Sequence, residues 1–256
     1  MKQKPGSPPK AMSNKPQISV LVSCFNEENN IVDCVRGVAA ALPHAEIVVI
    51  HGGTDRTLEV ARGLAGQVPN LVLVRNENDR GKGHGIRTGI EHASADVMAQ
   101  FDADLQFFAS DLPALLGPVL KGECDLSLGS RFLPSSDRSA YRTSFFRDAG
   151  NRVLSGLVSA LIGTRVTDVT AGVKAWTRDA IRRIAYRDDR YSYEAEIVVR
   201  AGGLGLRIRE VPVSYASRRQ GRSQHANNLD VIKAGAVIIV KSIACRIRTF
   251  FEQKKE

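Results

Sequence analysis

Four apolar runs, at residues 18–24, 46–50, 71–74 and 95–101, alternate with stretches whose apolar residues recur at helical spacing. The runs are rich in Val and Ile and too short for helices, whereas Ile31, Val35, Val38, Ala39 and Leu42 trace one face of a helix between the first two. Strand, helix, strand, helix with short connections builds a parallel sheet, because each crossover lays its helix over a face of that sheet. The expected class is α/β, with a mostly parallel central sheet flanked by helices. Ligands of such sheets collect at the carboxyl ends of the strands. The loops after the first, second and fourth runs should therefore line one rim.

Each of those loops carries chemistry. Asn26 and Glu27 follow the first run, with Asn26 placed to cap the next helix. His51, two glycines, Thr54 and Asp55 follow the second. After the fourth comes Phe101-Asp102-Ala103-Asp104-Leu105-Gln106. Along an extended chain Asp102 and Asp104 share a face and Ala103 turns away. Two carboxylates at a strand end suit a hard divalent cation, Mg²⁺ or Mn²⁺, that completes its shell with water and substrate phosphates. Taken alone, a DxD is more often a solvated turn; the shared rim is what raises it.

Beyond this half, a helix is expected near 110–120, a strand at 125–129, helices at 153–162, 179–185 and 192–201, and a strand at 207–215. Two segments are rich in arginine: residues 130–152 and the loop at 218–223. The chain has 36 Lys+Arg against 27 Asp+Glu, net +9, which points to an anionic partner. The basic residues cluster in loops and not in a nucleic-acid module, so a nucleic-acid partner is not expected. Cys24, Cys34, Cys124 and Cys245 have neither disulfide nor metal-ligand spacing and read as buried thiols. Residues 1–16 read as a disordered basic tail, and 17–225 as the main folded domain, the one to which the resemblance given below assigns catalysis. Residues 226–256 read as an amphipathic helix that either packs on the core or lies in a membrane interface. Lys233 and Lys241 interrupt its apolar run and argue against a bilayer span.

In order and spacing the motifs resemble glycosyltransferase family 2, in its polyprenyl-phosphate, dolichol-phosphate mannosyltransferase-like branch. The likeness runs through Asn26-Glu27, Gly81-Lys82-Gly83, DADLQ at 102–106, GSRF at 129–132, DVTAG at 168–172, YSYEAEI at 191–197, EVPVSY at 210–215 and RQGRS at 219–223. It implies a GT-A fold and inverting transfer of one sugar from a GDP- or UDP-sugar to a polyprenyl phosphate, on the cytoplasmic face of a membrane. It also implies site roles. Asp104 and Gln106, with Asp102, would hold the metal, and Asp102 and Asp104 would serve catalysis. Asn26, Glu27, His51, Asp55, Lys82 and Asp102 would face the donor. Arg131, Arg147, Arg218, Arg219 and Arg222 would cradle the acceptor phosphate. One departure stands out: His51 occupies a position where the family carries an acid for the nucleobase. Two alternatives stay open, a soluble glycosyltransferase acting on a saccharide or natural-product hydroxyl, and a non-catalytic nucleotide-sugar-binding relative.

Overall fold

The computed structural model describes residues 16–141, 145–218 and 228–254. The tail expected over residues 1–16 lies, but for Pro16, outside them. The first half alternates as expected: β1 (Ile18–Cys24), α1 (Ile31–Ala41), β2 (Glu46–His51), α2 (Thr57–Arg62), β3 (Leu71–Arg75), α3 (Lys82–His92) and β4 (Val97–Asp102). A 3-10 turn at Ala109–Asp111 leads into α4 (Leu112–Leu120) and β5 (Leu126–Ser130). Then come α5 (Phe145–Ile162), β6 (Lys174–Thr177), α6 (Arg178–Ile184), α7 (Tyr193–Gly203), β7 (Ile208–Pro212) and α8 (Asn228–Gln253).

The strands form one sheet in the order β3-β2-β1-β4-β6-β5-β7. β1 to β4 are mutually parallel, β6 runs antiparallel to both β4 and β5, and β7 is parallel to β5. The sheet is mostly parallel and buried on both faces, which is why its strands read as continuous apolar runs. Val20 and Val22 of β1 join one core layer with α1, α2 and α4, whereas Leu21 joins the other with α3, α5, α6 and α7. Trp176 and all four cysteines are buried, the cysteines as free thiols.

Chain order reverses between β1 and β4: β2 and β3 lie to one side and β4 to the other. A crevice opens at such a switch point because the loops leaving the two strands diverge. Two expectations needed adjustment. Helix α5 begins at Phe145, eight residues ahead of the apolar stretch that announced it. Its first turns are exposed at Phe146, Arg147 and Gly150, so they carry no apolar face to detect. The strand expected over 207–215 pairs regularly only to Pro212, and Tyr215 then bridges Phe107 beside the acidic loop.

Helix α8 packs on α5 and α7, burying Ser242, Cys245 and Thr249. Its outward residues include Val240, Ile243, Ile247, Phe250 and Phe251, all exposed. Among the described residues no helix is long and apolar enough to cross a membrane.

Candidate active site

A cavity of about 960 Å³ opens at the switch point. Its wall takes Ser23 and Cys24 from the end of β1, Gly52 from beyond β2, Lys82 from α3, and Asp102, Asp104 and Gln106 from beyond β4. Arg218 and the first turn of α7 close one side, and α8 closes another.

The acidic loop behaves as its alternation predicts. Ala103 packs into the core at 1% exposure, and Asp102 and Asp104 bring their carboxylates to the cavity. Leu105 takes a left-handed backbone (φ 59°), a conformation that costs a branched side chain about 1–2 kcal/mol. That kink turns the chain back, and the Gln106 N–H donates to Asp104 Oδ1 at 3.2 Å. Each carboxylate also faces a cation from a distant part of the chain. Lys82 Nζ lies 2.8 and 2.9 Å from the two oxygens of Asp102 and 2.8 Å from Glu194 Oε1. Arg218 donates to Asp104 Oδ2 at 2.6 Å. Burial lifts the Asp102 carboxyl to about 6 against the pull of Lys82. Burial opposes the Lys82 ammonium, but Asp102 and Glu194 outweigh it and hold it well above the usual lysine value.

Asp102, Asp104 and the Gln106 amide present oxygen donors only, the set a hard divalent cation takes. The chain's own cations, Lys82 and Arg218, stand against the two carboxylates, the positions a metal cation would share with them. Among the described residues no group of three or more His, Cys, Asp or Glu forms a self-sufficient metal cage. Magnesium-type sites rarely have one, since substrate phosphates supply much of the shell. The residues fit the ion.

The other end of the rim corrects the sequence reading. Asn26 does not cap α1, which starts five residues later at Ile31 behind Asn30. It sits in a left-handed turn (φ 57°), and its side-chain oxygen accepts from the N–H groups of Thr54 and Asp55 at 2.9 and 3.2 Å. Asp55 in turn accepts from the Glu28 N–H and from Thr57. These bonds clasp the loop after β1 to the loop after β2. Gly53 permits the approach, since a Cβ there would fall 2.2 Å from Asn26 Oδ1. His51 is fully buried beneath the clasp, with Nδ1 2.9 Å from an Arg75 nitrogen and Nε2 3.0 Å from Asp55 Oδ1. It does not reach the cavity, and neither Asn26 nor Asp55 lines it. Of the residues expected to face a donor, Glu27, Lys82 and Asp102 are the ones that line the cavity.

Burial holds the His51 pKa below 6.5, against the opposing pull of Asp55. A group whose folded pKa is depressed contributes stability that is present above its unfolded pKa and lost as pH falls through the folded one. The melting-temperature difference between wild type and His51→Gln should therefore shrink as pH drops below about 6.5. Thermal melts over a pH series check this, and a difference independent of pH would contradict it.

The arginines divide. Arg131 does not line the cavity. Its guanidinium is turned inward on the fully buried Asp168, with bonds of 2.6 and 2.8 Å, and donates to Thr170 at 3.0 Å. It also lies over the Tyr215 ring at 4.9 Å. That corrects its placement from acceptor cradle to scaffold behind the wall, because a fork committed to a buried carboxylate has little left for a phosphate. Arg147 is on the exposed first turns of α5, and Arg218 is on the wall. Arg219 and Arg222 lie outside the described residues.

The sequence profile of Glycosyl transferase family 2 matches residues 19–187, which span the first six strands and the acidic loop. The chain belongs to that family. Among curated relatives it is similar to the low-salt glycan biosynthesis hexosyltransferase Agl6 of Haloferax volcanii, 30% identical over 211 residues. That match takes in 79% of this chain and 48% of Agl6, so the chain spans about half the length of that relative. It is also similar to the undecaprenyl-phosphate mannosyltransferase of Micrococcus luteus, 27% identical over 221 residues, covering 83% of this chain and 89% of that one. Among solved structures, glucosyl-3-phosphoglycerate synthase from Mycobacterium tuberculosis, in complex with Mn²⁺, UDP and glucosyl-3-phosphoglycerate, superposes with a TM-score of 0.69. The identity there is 21%, over 90% of this chain and 80% of the other, a likeness of fold. The fold is GT-A.

Within this family 2 site, several residues had no role assigned from the sequence. Glu194 falls within the YSYEAEI stretch without a role of its own there, yet it is buried and shares Lys82 with Asp102. Asp79 and Arg190 also reach the cavity, as do Lys233 and Lys241 from α8. Gly172 stands directly behind the Asp102–Lys82 pair. Gln100 donates to its carbonyl at 3.1 Å, and a Cβ on it would fall 1.9 Å from Asp102 Oδ2 and 3.2 Å from Lys82 Nζ. Gly172→Ala should displace the Asp102–Lys82 pair, lowering turnover by more than about tenfold and stability by roughly 1–3 kcal/mol through overpacking. Steady-state kinetics with denaturant unfolding measure both, and a wild-type turnover number would show that the pair has no catalytic consequence.

Proposed function

We propose that this chain is an inverting, metal-dependent glycosyltransferase that moves one sugar from a nucleotide-sugar donor, a GDP- or UDP-sugar, to the phosphate of a polyprenyl phosphate. The observation that carries the reading is a single cavity holding Asp102, Asp104 and Gln106 on one wall and cationic residues on the others, bordered by a helix with an exposed apolar face. The names of relatives support the acceptor class, since undecaprenyl-phosphate transferases are among them.

Breaking the sugar–phosphate bond leaves negative charge on the departing nucleoside diphosphate. Asp104 and Gln106, with Asp102, would hold a divalent cation, Mg²⁺ or Mn²⁺, which would supply stabilisation of that charge. Lys82 orients Asp102 through their shared ion pair and adds positive charge close by. Glu27, on the wall beneath the Asn26–Asp55 clasp, faces the donor. A phosphate monoester has its second pKa near about 6, so it is already nucleophilic at neutral pH and needs no general base. Transfer to a hydroxyl would need one. The acceptor phosphate is met by Arg218, with Arg219 and Arg222 close behind it in sequence, and by Arg147 at the start of α5. The apolar side of α8 lies in the interface of a membrane, on its cytoplasmic face, and makes the enzyme peripheral.

The test is a donor screen with Mg²⁺ or Mn²⁺ and a polyprenyl phosphate in detergent or vesicles. An acid-labile glycolipid is the expected product. Efficient labelling of a soluble saccharide, with no donor labelling the lipid, would overturn the reading.

A further inference from the structure

Helix α8 has three faces, and the boundary between two of them runs along the edge of the cavity. Ser242, Cys245 and Thr249 form the buried face against α5 and α7. Lys233, Val237 and Lys241, with Ala234 and Ile238, form the cavity face. At four-residue spacing the first three stack along one side of the helix over about 12 Å. Val240, Ile243, Ile247 and Phe250 follow at alternating spacings of three and four and form a continuous exposed stripe. Val237 belongs to the cavity wall and is itself 50% exposed, so apolar surface continues from the wall onto the stripe.

The two lysines differ in their partners. Lys241 is held by Asp188 at 2.5 Å. Lys233 forms no hydrogen bond or ion pair among the described residues, is exposed, and stands at the cavity edge two helical turns away. An ammonium on a flexible stem, at the rim of a site rich in carboxylates and flanked by apolar surface, suits an anionic head joined to an apolar chain.

We propose that α8 is the acceptor wall of the catalytic cavity: Lys233 binds the phosphate of the lipid acceptor, and the stripe beginning at Val237 and Val240 receives the first segment of its chain. This rests on the reading that the acceptor is a polyprenyl phosphate. Lys241, tied to Asp188, positions the helix so that Lys233 faces inward.

The experiment compares wild type, Lys233→Glu, Lys233→Arg and Ile243→Asn as full-length chains. The acceptors are undecaprenyl phosphate in phosphatidylcholine vesicles and a water-soluble short-chain prenyl phosphate. A charge-assisted phosphate contact predicts that Lys233→Glu raises the KM for both acceptors about tenfold or more, with the donor KM changed less than about twofold. Lys233→Arg should restore most of the acceptor affinity, which a merely structural role would not require. Ile243→Asn should weaken use of the long-chain acceptor and spare the short one. An unchanged acceptor KM in Lys233→Glu overturns the proposal while leaving the functional reading intact. A wild type that transfers sugar to no polyprenyl phosphate overturns the functional reading and this proposal together. Sedimentation showing a dimer that Ile243→Asn dissolves, with acceptor KM unaffected, would assign the stripe to a second copy of the chain and overturn the lipid assignment.

Discussion

Asp104→Asn is expected to cut sugar transfer by about a hundred- to a thousandfold, the scale on which removal of one group that stabilises leaving-group charge is felt. The substitution keeps the shape of the side chain and an oxygen that can accept from the Gln106 N–H, now 3.2 Å from Asp104 Oδ1. What it removes is the negative charge that faces Arg218 at 2.6 Å. Arg218 is only partly buried, so the lost pair should cost less than about 1 kcal/mol of stability. The expected signature is a folded protein with a nearly normal unfolding curve and almost no turnover. Binding of a nucleoside diphosphate should also lose its dependence on Mg²⁺ or Mn²⁺. Turnover within about tenfold of wild type would sink the assignment of Asp104 to the metal end of the site.

The second large effect is on stability. Arg131→Ala should destabilise the fold by about 3–5 kcal/mol, because removing one partner of a buried pair leaves the other charge uncompensated. Asp168 is fully buried and receives three of its hydrogen bonds from Arg131, one from the backbone and two from the guanidinium. Its own N–H is already committed to Glu210, so the neighbourhood offers it another carboxylate where it needs a cation. The ring of Tyr215 also loses the guanidinium stacked on it. In a chain of this size such a loss corresponds to a fall in melting temperature of roughly 6–20 °C. Arg131→Lys keeps the charge and gives up the fork, so it should fall between. Denaturant unfolding decides the matter. A normal unfolding midpoint with a raised acceptor KM would return Arg131 to the acceptor cradle, where its motif had suggested it belonged.

These two residues mark how far the sequence could be read. Asp102 and Asp104 were legible because the determinant is local: a two-residue alternation at the end of an apolar strand sets which side chains share a face, and Ala103 is turned into the core accordingly. Arg131 was not, because its motif says that an arginine is present but not which way it turns. That direction depends on Asp168, 37 residues later, on the loop that enters β6. His51 shows the same limit. In sequence it was a histidine where an acid was expected, open to the nucleobase. In the fold it closes a β-strand beneath the Asn26–Asp55 clasp, a contact between loops 28 or more residues apart.

By itself, then, the chain's apolar periodicity determined the α/β class, the positions of the first four strands along the chain and the loops that share a rim, since each follows from spacings of two and of three to four residues. Tertiary structure alone decided the electrostatics of the acidic pair. Lys82 reaches Asp102 over 20 residues of sequence and Glu194 over 112, and Arg218 reaches Asp104 over 114. It likewise decided that α8 walls the cavity. A cation's partner is whatever carboxylate the packed layers bring within about 3 Å, and no local pattern records that distance.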